Sequence, residues 1–242
     1  MDNAPQDIVE FALAYPFHIP EKPYLLLPGG KVSGQVPGHK DRAGRIPVLA
    51  TGSNRSPRQL LRKFPDLQDV LPVDQGSLDG HDVVYSAHLT RYGSIPAALV
   101  AMPNCRVRVS VTWLTETQLE RMHQTEALGQ NYDYGRLDGV SLMLDGGERL
   151  GEVFTYISRR GFFAWEDRPI PLAAIAAEGR NAPALKQREA LELARSRLAP
   201  KSSFSRFVVD TVNNESLRNE RNQKLGENAL SSAHPNFVKD TA

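Results

Sequence analysis

The residue types that could do chemistry gather in two short stretches. The first is Thr51-Gly52-Ser53-Asn54, which follows the apolar run Ile46-Pro47-Val48-Leu49-Ala50, a short strand pattern. Ser56 then suits a helix N-cap and Pro57 the first helical position, Leu60, Leu61 and Phe64 form an apolar face, and Pro65 stops the helix. Glycine at position 52 allows a ligand close to the backbone. The helix behind it turns unpaired N–H groups and a positive dipole end on the turn, so a carboxylate, phosphate or developing oxyanion could be held without a charged side chain. The alternative from this motif alone is a plain strand-to-helix turn. The second stretch is the helix opened by Thr115-Glu116-Thr117-Gln118, which has capping-box spacing. Leu119, Met122 and Glu126 stack along one face, which puts a carboxylate at the end of an apolar stripe. Burial disfavours a charged carboxylate, and a Glu tuned to ~6–7 can take and return protons near neutrality. If the helix frays before Glu126, the side chain lies in solvent instead.

Other constellations carry less. His18, His39, His81, His88, His123 and His234 show no zincin spacing and have no cysteine cluster beside them, so no metal site is expected. His88 and His123 could line a pocket. Ser53 as a nucleophile with His88 as base lacks a Gly-x-Ser-x-Gly elbow. Gly29-Gly30-Lys31-Val32-Ser33-Gly34 lacks the spacing of a phosphate loop and reads as a flexible loop. Cys105 is expected to pack, as are Trp113 and Tyr85. The basic run from Arg180 to Arg206 reads as a solvated face.

Several elements must position the two stretches. Val83-Val84-Tyr85 and Ile95 to Val100 read as strands, the second at an edge because of Pro96. Val107, Val109, Val111 and Trp113 alternate with Arg106, Arg108, Ser110 and Thr112, the pattern of a half-buried strand. Val140 to Leu144 and Glu152 to Ile157 flank Asp145-Gly146-Gly147-Glu148, a hairpin signal. A helix is expected from Pro183 to about Leu198. This divides the chain into an N-terminal extension over 1–47, a core over 48–158, a helical segment over 159–200 and a polar tail over 201–242. With six Asn after Val212, the tail is expected to bury little and to be mobile, or ordered only by docking on the core or a partner.

Composition bounds the function. The 242 residues carry 29 Lys+Arg against 28 Asp+Glu, a net charge of +1 that argues against a dedicated nucleic-acid binder. Hydrophobic residues make up 40%, enough for a globular core, yet no stretch approaches a membrane span. The acidic start, with no Lys or Arg before Lys22, does not read as a secretory signal and none is expected, and the single Cys105 excludes an internal disulfide framework. A cytoplasmic address is expected.

Taken together the stretches resemble one family. Thr51-Gly52-Ser53-Asn54 after an apolar strand is similar to the Tyr-Gly-Ser-Asn signature of the gamma-glutamylcyclotransferase-like family. Arg106 to Leu114 resembles its central strand, Leu119 to Glu126 its helix ending in Leu-Asp-x-x-Glu-Gly, Tyr132 or Tyr134 its following Tyr, and Val153-Phe154-Thr155-Tyr156-Ile157 its later Val-Tyr strand. Thr51 departs from the family's Tyr and Ala127 from its Gly. The resemblance implies an α+β fold, a small mixed β-barrel with flanking helices, to which this chain adds extensions at both ends. It implies cleavage of a small-molecule γ-glutamyl amine or amide by its own α-amine, releasing 5-oxoproline and an amine, with no cofactor, metal or covalent intermediate. Glu126 would be the general acid/base, and Thr51, Gly52, Ser53, Asn54, Tyr132 and Tyr134 would line the substrate site. The alternatives are a family-fold protein that binds a small acidic ligand without turnover, and a hydrolase or acyltransferase using the same pocket.

Overall fold

The computed structural model describes residues 5–240. In chain order the elements are α1 (Pro5–Leu13), β1 (Tyr24–Leu26), β2 (Val32–Ser33), α2 (His39–Arg42), β3 (Ile46–Ala50), α3 (Pro57–Lys63), β4 (Leu71–Tyr85) and β5 (Ala97–Leu114). They continue with α4 (Glu116–Thr125), β6 (Tyr132–Leu144), β7 (Arg149–Ser158), the small pair β8 (Ala164–Trp165) and β9 (Arg168–Pro169), β10 (Ala177–Glu178), α5 (Gln187–Leu198), α6 (Phe204–Asn213), α7 (Glu215–Glu227) and β11 (Phe237–Lys239).

Five strands close on themselves in the order β5-β3-β7-β6-β4, with β4 pairing back to β5. The β3–β7 contact, Val48 opposite Phe154, is parallel and the other four are antiparallel, so the expected small mixed barrel is present. Closure is tight at β4–β6, where a Cβ on Gly76 would run into the Met143 carbonyl at 2.7 Å. The 145–148 turn joins β6 to β7 as its sequence signals.

Two segments expected to be separate strands differ from that reading. Ile95 to Val100 and Val107 to Trp113 belong to one long strand, β5, which starts just after Pro96 and pairs with β4 along most of its length. A register shift between Asp79 and His81 lets this ribbon bend. The expected half-burial of Val107 to Trp113 holds only at its start: Arg106 is exposed, but Ser110 and Thr112 are buried. Their polar face is covered because Arg55 Nε donates to Ser110 Oγ at 3.0 Å, and Ser110 Oγ donates to Gln75 Oε1 at 2.7 Å.

The extensions are built into the molecule. Tyr24 to Leu26 pairs with β4, and the glycine-rich loop contributes β2 beside it. The tail corrects an expectation: it buries Phe207, Val208, Thr211 and Leu225. Phe204, Phe207, Val208 and Thr211 fall at i, i+3, i+4 and i+7, a helical stripe that the surrounding Asn and Ser obscure. The segment is therefore ordered by docking on the core, with α6 against α1 and α5 and β11 paired to β6. The α5 helix begins at Gln187, later than Pro183, because Leu185 is held extended opposite Leu172. No helix among the described residues is long and apolar enough to cross a membrane.

Candidate active site

The site is assembled by a small cluster of apolar side chains beneath α3 and α4. Val48, Leu60, Phe64, Val73, Leu114 and Met122 pack together, with Leu119 at the margin. That packing fixes the two helices relative to β3. The α4 helix starts on a complete capping box: Gln118 N donates to Thr115 Oγ1 at 3.2 Å and Thr115 N to Gln118 Oε1 at 3.0 Å. It runs to Thr125, and Glu126 is its C-cap, so the carboxylate sits where an ordered helix places it.

The turn that Glu126 meets is not built as expected. Thr51 and Gly52 lead into a one-turn 3-10 helix, Ser53–Arg55, and only then does α3 begin at Pro57 behind the Ser56 N-cap. The amides opening onto the site therefore come from this short turn, whose first N–H groups have no acceptor within it. Asn54 Nδ2 donates to Glu126 Oε1 at 2.7 Å, joining the two sequence stretches directly.

A cation completes the junction. Lys63 Nζ, at the end of α3, pairs with the same Glu126 oxygen and lies 3.3 Å from Met122 Sδ. The Lys63 and Glu126 side chains are only 6% and 12% exposed, so this pair is largely shielded from solvent. The expected setting for Glu126, a carboxylate ending an apolar stripe, is thus only half of its surroundings. With Oε1 engaged twice, Oε2 has no hydrogen bond to the described residues.

The cavity around Glu126 measures about 670 Å³. Of the residues singled out in the sequence, Thr51, Gly52, Ser53, Asn54, Glu126 and Tyr132 line it. Tyr134 does not: it faces a neighbouring cleft, stacked on Phe154 with ring centres 5.5 Å apart. His123 lies in that cleft too and pairs through Nδ1 with Tyr156 Oη at 2.9 Å. His88 does line the cavity, but its Nδ1 is engaged by Ser86 Oγ at 2.9 Å rather than by Ser53. Burial, assisted by the Arg160 charge, pushes the His88 imidazole down to about 3. That leaves it neutral near pH 7.

Gly52 is needed for close approach, though a protein group makes it. A Cβ there would collide with Tyr15 Oη and come within 2.9 Å of Ala97 Cβ. Tyr15 follows α1, and its hydroxyl accepts a hydrogen bond from Ala97 N at 2.7 Å. Burial holds the Tyr15, Tyr132 and Tyr156 phenols well above their usual range, and the Glu126 carboxylate adds to each rise. All three remain protonated around the carboxylate, as neutral polar groups.

Sequence reasoning missed Tyr15, Lys63, Tyr156 and the far wall. Lys63 had a legible signal, since it lies three residues after Leu60 and one before Phe64, a cation on the buried face of α3. Tyr15 had none, because it arrives from a segment distant in sequence. The far wall comes from α7, whose Glu215, Arg218, Asn219 and Asn222 line the cavity. Asn222 ties α7 to the loop after His88 through both ends of its amide: Leu89 N donates to Oδ1 at 2.7 Å, and Nδ2 donates to the Leu89 carbonyl at 3.1 Å.

No family model matches the sequence, and no curated protein matches it. Solved structures do. A gamma-glutamyl cyclotransferase shares 14% identity at a TM-score of 0.39, over 47% of this chain and 66% of that one. A protein from Arabidopsis thaliana, solved in solution, shares 18% identity at a TM-score of 0.39, over 50% of this chain and 74% of its own. YkqA from Bacillus subtilis shares 17% identity at a TM-score of 0.37, over 72% of this chain and 56% of its own. The chain is thus similar, at a distance, to a gamma-glutamyl cyclotransferase, a member of the family its short motifs resemble.

Proposed function

We propose that this protein is a gamma-glutamylcyclotransferase-like enzyme that cleaves a γ-glutamyl amine or amide without a metal. The observation that carries the reading is the Asn54–Glu126 hydrogen bond, which sets a nearly buried carboxylate beside the Gly52–Asn54 turn on the wall of a cavity. In the reaction the substrate's α-nitrogen attacks its own γ-carbonyl carbon, the ring C–N bond forms and the amide C–N bond breaks. The products are 5-oxoproline and the free amine, and no water is consumed. Glu126 takes a proton from the α-ammonium and returns one to the leaving nitrogen. Because ring closure is intramolecular, the protein need only fold the substrate, move protons and stabilise charge on the carbonyl oxygen. Asn54 and Lys63 hold Oε1, leaving Oε2 for proton transfer. Arg55 N is held by the Gly52 carbonyl at 3.1 Å and the Ser53 backbone bonds to the Tyr15 hydroxyl, so the Asn54 amide is the one suited to the glutamyl carboxylate or the developing oxyanion.

The test is mass-spectrometric assay of 5-oxoproline across γ-glutamyl amides, dipeptides and glutathione. Glu126→Gln is expected to keep the fold and ligand binding while lowering turnover by roughly 10²–10⁴-fold. Unchanged turnover in that variant would refute the assignment. Free glutamate in place of 5-oxoproline would move the chemistry to hydrolysis.

A further inference from the structure

The mouth of the cavity carries a feature that the proposed reaction does not use. Phe11, Phe17 and Tyr92 form a chain of rings, with centres 5.1 Å apart for Phe11–Phe17 and 5.7 Å for Phe11–Tyr92. Three arginines lie over them. Arg58 sits 5.1 Å from the Phe11 ring centre and 5.3 Å from that of Phe17, Arg62 sits 4.6 Å from Tyr92, and Arg91 sits 4.8 Å from Tyr92. All three arginines are exposed, and none forms a salt bridge to a described carboxylate. Arg58 makes no hydrogen bond within the described protein, and Arg62 makes one long contact to Gln59 Oε1 at 3.4 Å.

Arg91 donates one N–H to Tyr92 Oη at 2.5 Å. Stacking occupies the guanidinium faces and leaves the Arg58 edge and most of the Arg62 and Arg91 N–H groups for an oxyanion, a preorganised arrangement. The placement is also specific. Phe17, Arg91 and Tyr92 line the cavity themselves. On α3, Gln59 and Lys63 face the cavity, while Arg58 and Arg62 are their neighbours one residue back. One step along a helix is a rotation of about 100° and a rise of about 1.5 Å, so this pair runs along the rim. In a chain of net charge +1, three unpaired cations on one rim form a strong local field.

We propose that this rim binds a remote oxyanion, phosphoryl or carboxylate, carried on the leaving-amine portion of the substrate further from the scissile amide than an α-carboxylate on that amine would lie. The proposal rests on the cyclotransferase reading for where the leaving amine lies. The test measures 5-oxoproline release by the full chain from four matched compounds. These are γ-glutamyl ethylamine, γ-glutamyl-alanine, γ-glutamyl-alanyl-aspartate and γ-glutamyl-alanyl-phosphoserine. The two compounds with a remote anion are expected to show the higher kcat/KM, and the order between them separates phosphoryl from carboxylate recognition. Arg58→Gln/Arg62→Gln is expected to raise KM about tenfold for those two alone, with kcat and the ethylamide rate unchanged. Equal KM changes on all four compounds would overturn the proposal, because the arginines would then only seat α1 against α3. If no compound yields 5-oxoproline, the cyclotransferase reading fails, and the rim is tested by calorimetry with inorganic pyrophosphate. Binding lost in the double variant supports an anion rim, and equal or no binding in both proteins overturns it.

Discussion

Lys63 and Glu126 meet from the ends of two helices that pack on the same apolar cluster, so each charge is held within reach of the other. A shielded pair of this kind penalises loss of either partner alone, because the survivor is left uncompensated. Lys63→Met is expected to cost about 3 kcal/mol in unfolding free energy. Combining it with Glu126→Gln should cost less than the sum of the two single changes, with a coupling of about 1–3 kcal/mol. Denaturant titration of the four proteins measures this, and strict additivity would mean the pair contributes nothing. The residue after the carboxylate tells a related story. Ala127, at a position where the resembling family has Gly, takes φ +48°, a left-handed conformation that costs a non-glycine residue about 1–2 kcal/mol. Ala127→Gly should therefore raise stability by about 1 kcal/mol. A lower Tm would show that the turn gains something from the methyl group.

At the scale of elements, α6 supports the site at a distance. Its Phe207 is fully buried, and the helix packs on α1, which leads into Tyr15. Phe207→Ala should destabilise the fold by about 3–5 kcal/mol. By loosening the Tyr15 contact at Gly52, it should also raise KM more than it lowers kcat. What the sequence made legible follows from the range of each signal. Glu126 and the Gly52–Asn54 turn could be found because a capping box, a stripe and a glycine turn are local patterns. The barrel was legible through its alternating strand and its 145–148 turn. The junction of Ile95–Val100 with Val107–Trp113 was not, since Pro103 and Asn104, the latter at φ +66°, lie between them and break the strand pattern until the β4 partner is known. Tyr15 and the α7 wall were invisible for the same reason: their roles depend on contacts across most of the chain, and periodicity within one helix cannot reveal them.

At the scale of the whole molecule, the buried imidazoles of His81 and His88 and the half-buried one of His234 set a common dependence on pH. His88 is pushed down to about 3 and His234 to about 4 by burial, and burial lowers His81 as well. The Nε2 atoms of His81 and His234 lie 2.9 Å apart, with the His81 Nδ1 directed at the Asp79 carbonyl, so the pair is arranged for neutral rings. In the unfolded chain such groups protonate near 6.5. Below that value the unfolded state binds more protons than the native one, so stability falls with decreasing pH. Their contribution is complete above about pH 6.5 and is lost as the pH drops toward the values of the folded protein. Asp74, pushed up mainly by burial, works in the opposite sense. The expected observation is a Tm that declines from pH 6.5 to 4, with a shallower slope in His234→Asn. A flat profile would show that the rings stay accessible to protons.

The amide clasp between Asn222 and Leu89 also bears on how the protein comes into being. The last barrel strand ends at Ser158, whereas the wall facing Glu126 arrives with Glu215–Glu227. At ~5–20 residues per second of synthesis, α7 follows the last barrel strand by several seconds, so a barrel that closed on emerging would have its cavity open on one side. Its carboxylate and turn would already be made during that interval. A chain released early would therefore be a barrel without a vessel, and the cavity would be walled only when Asn222 closes on the loop.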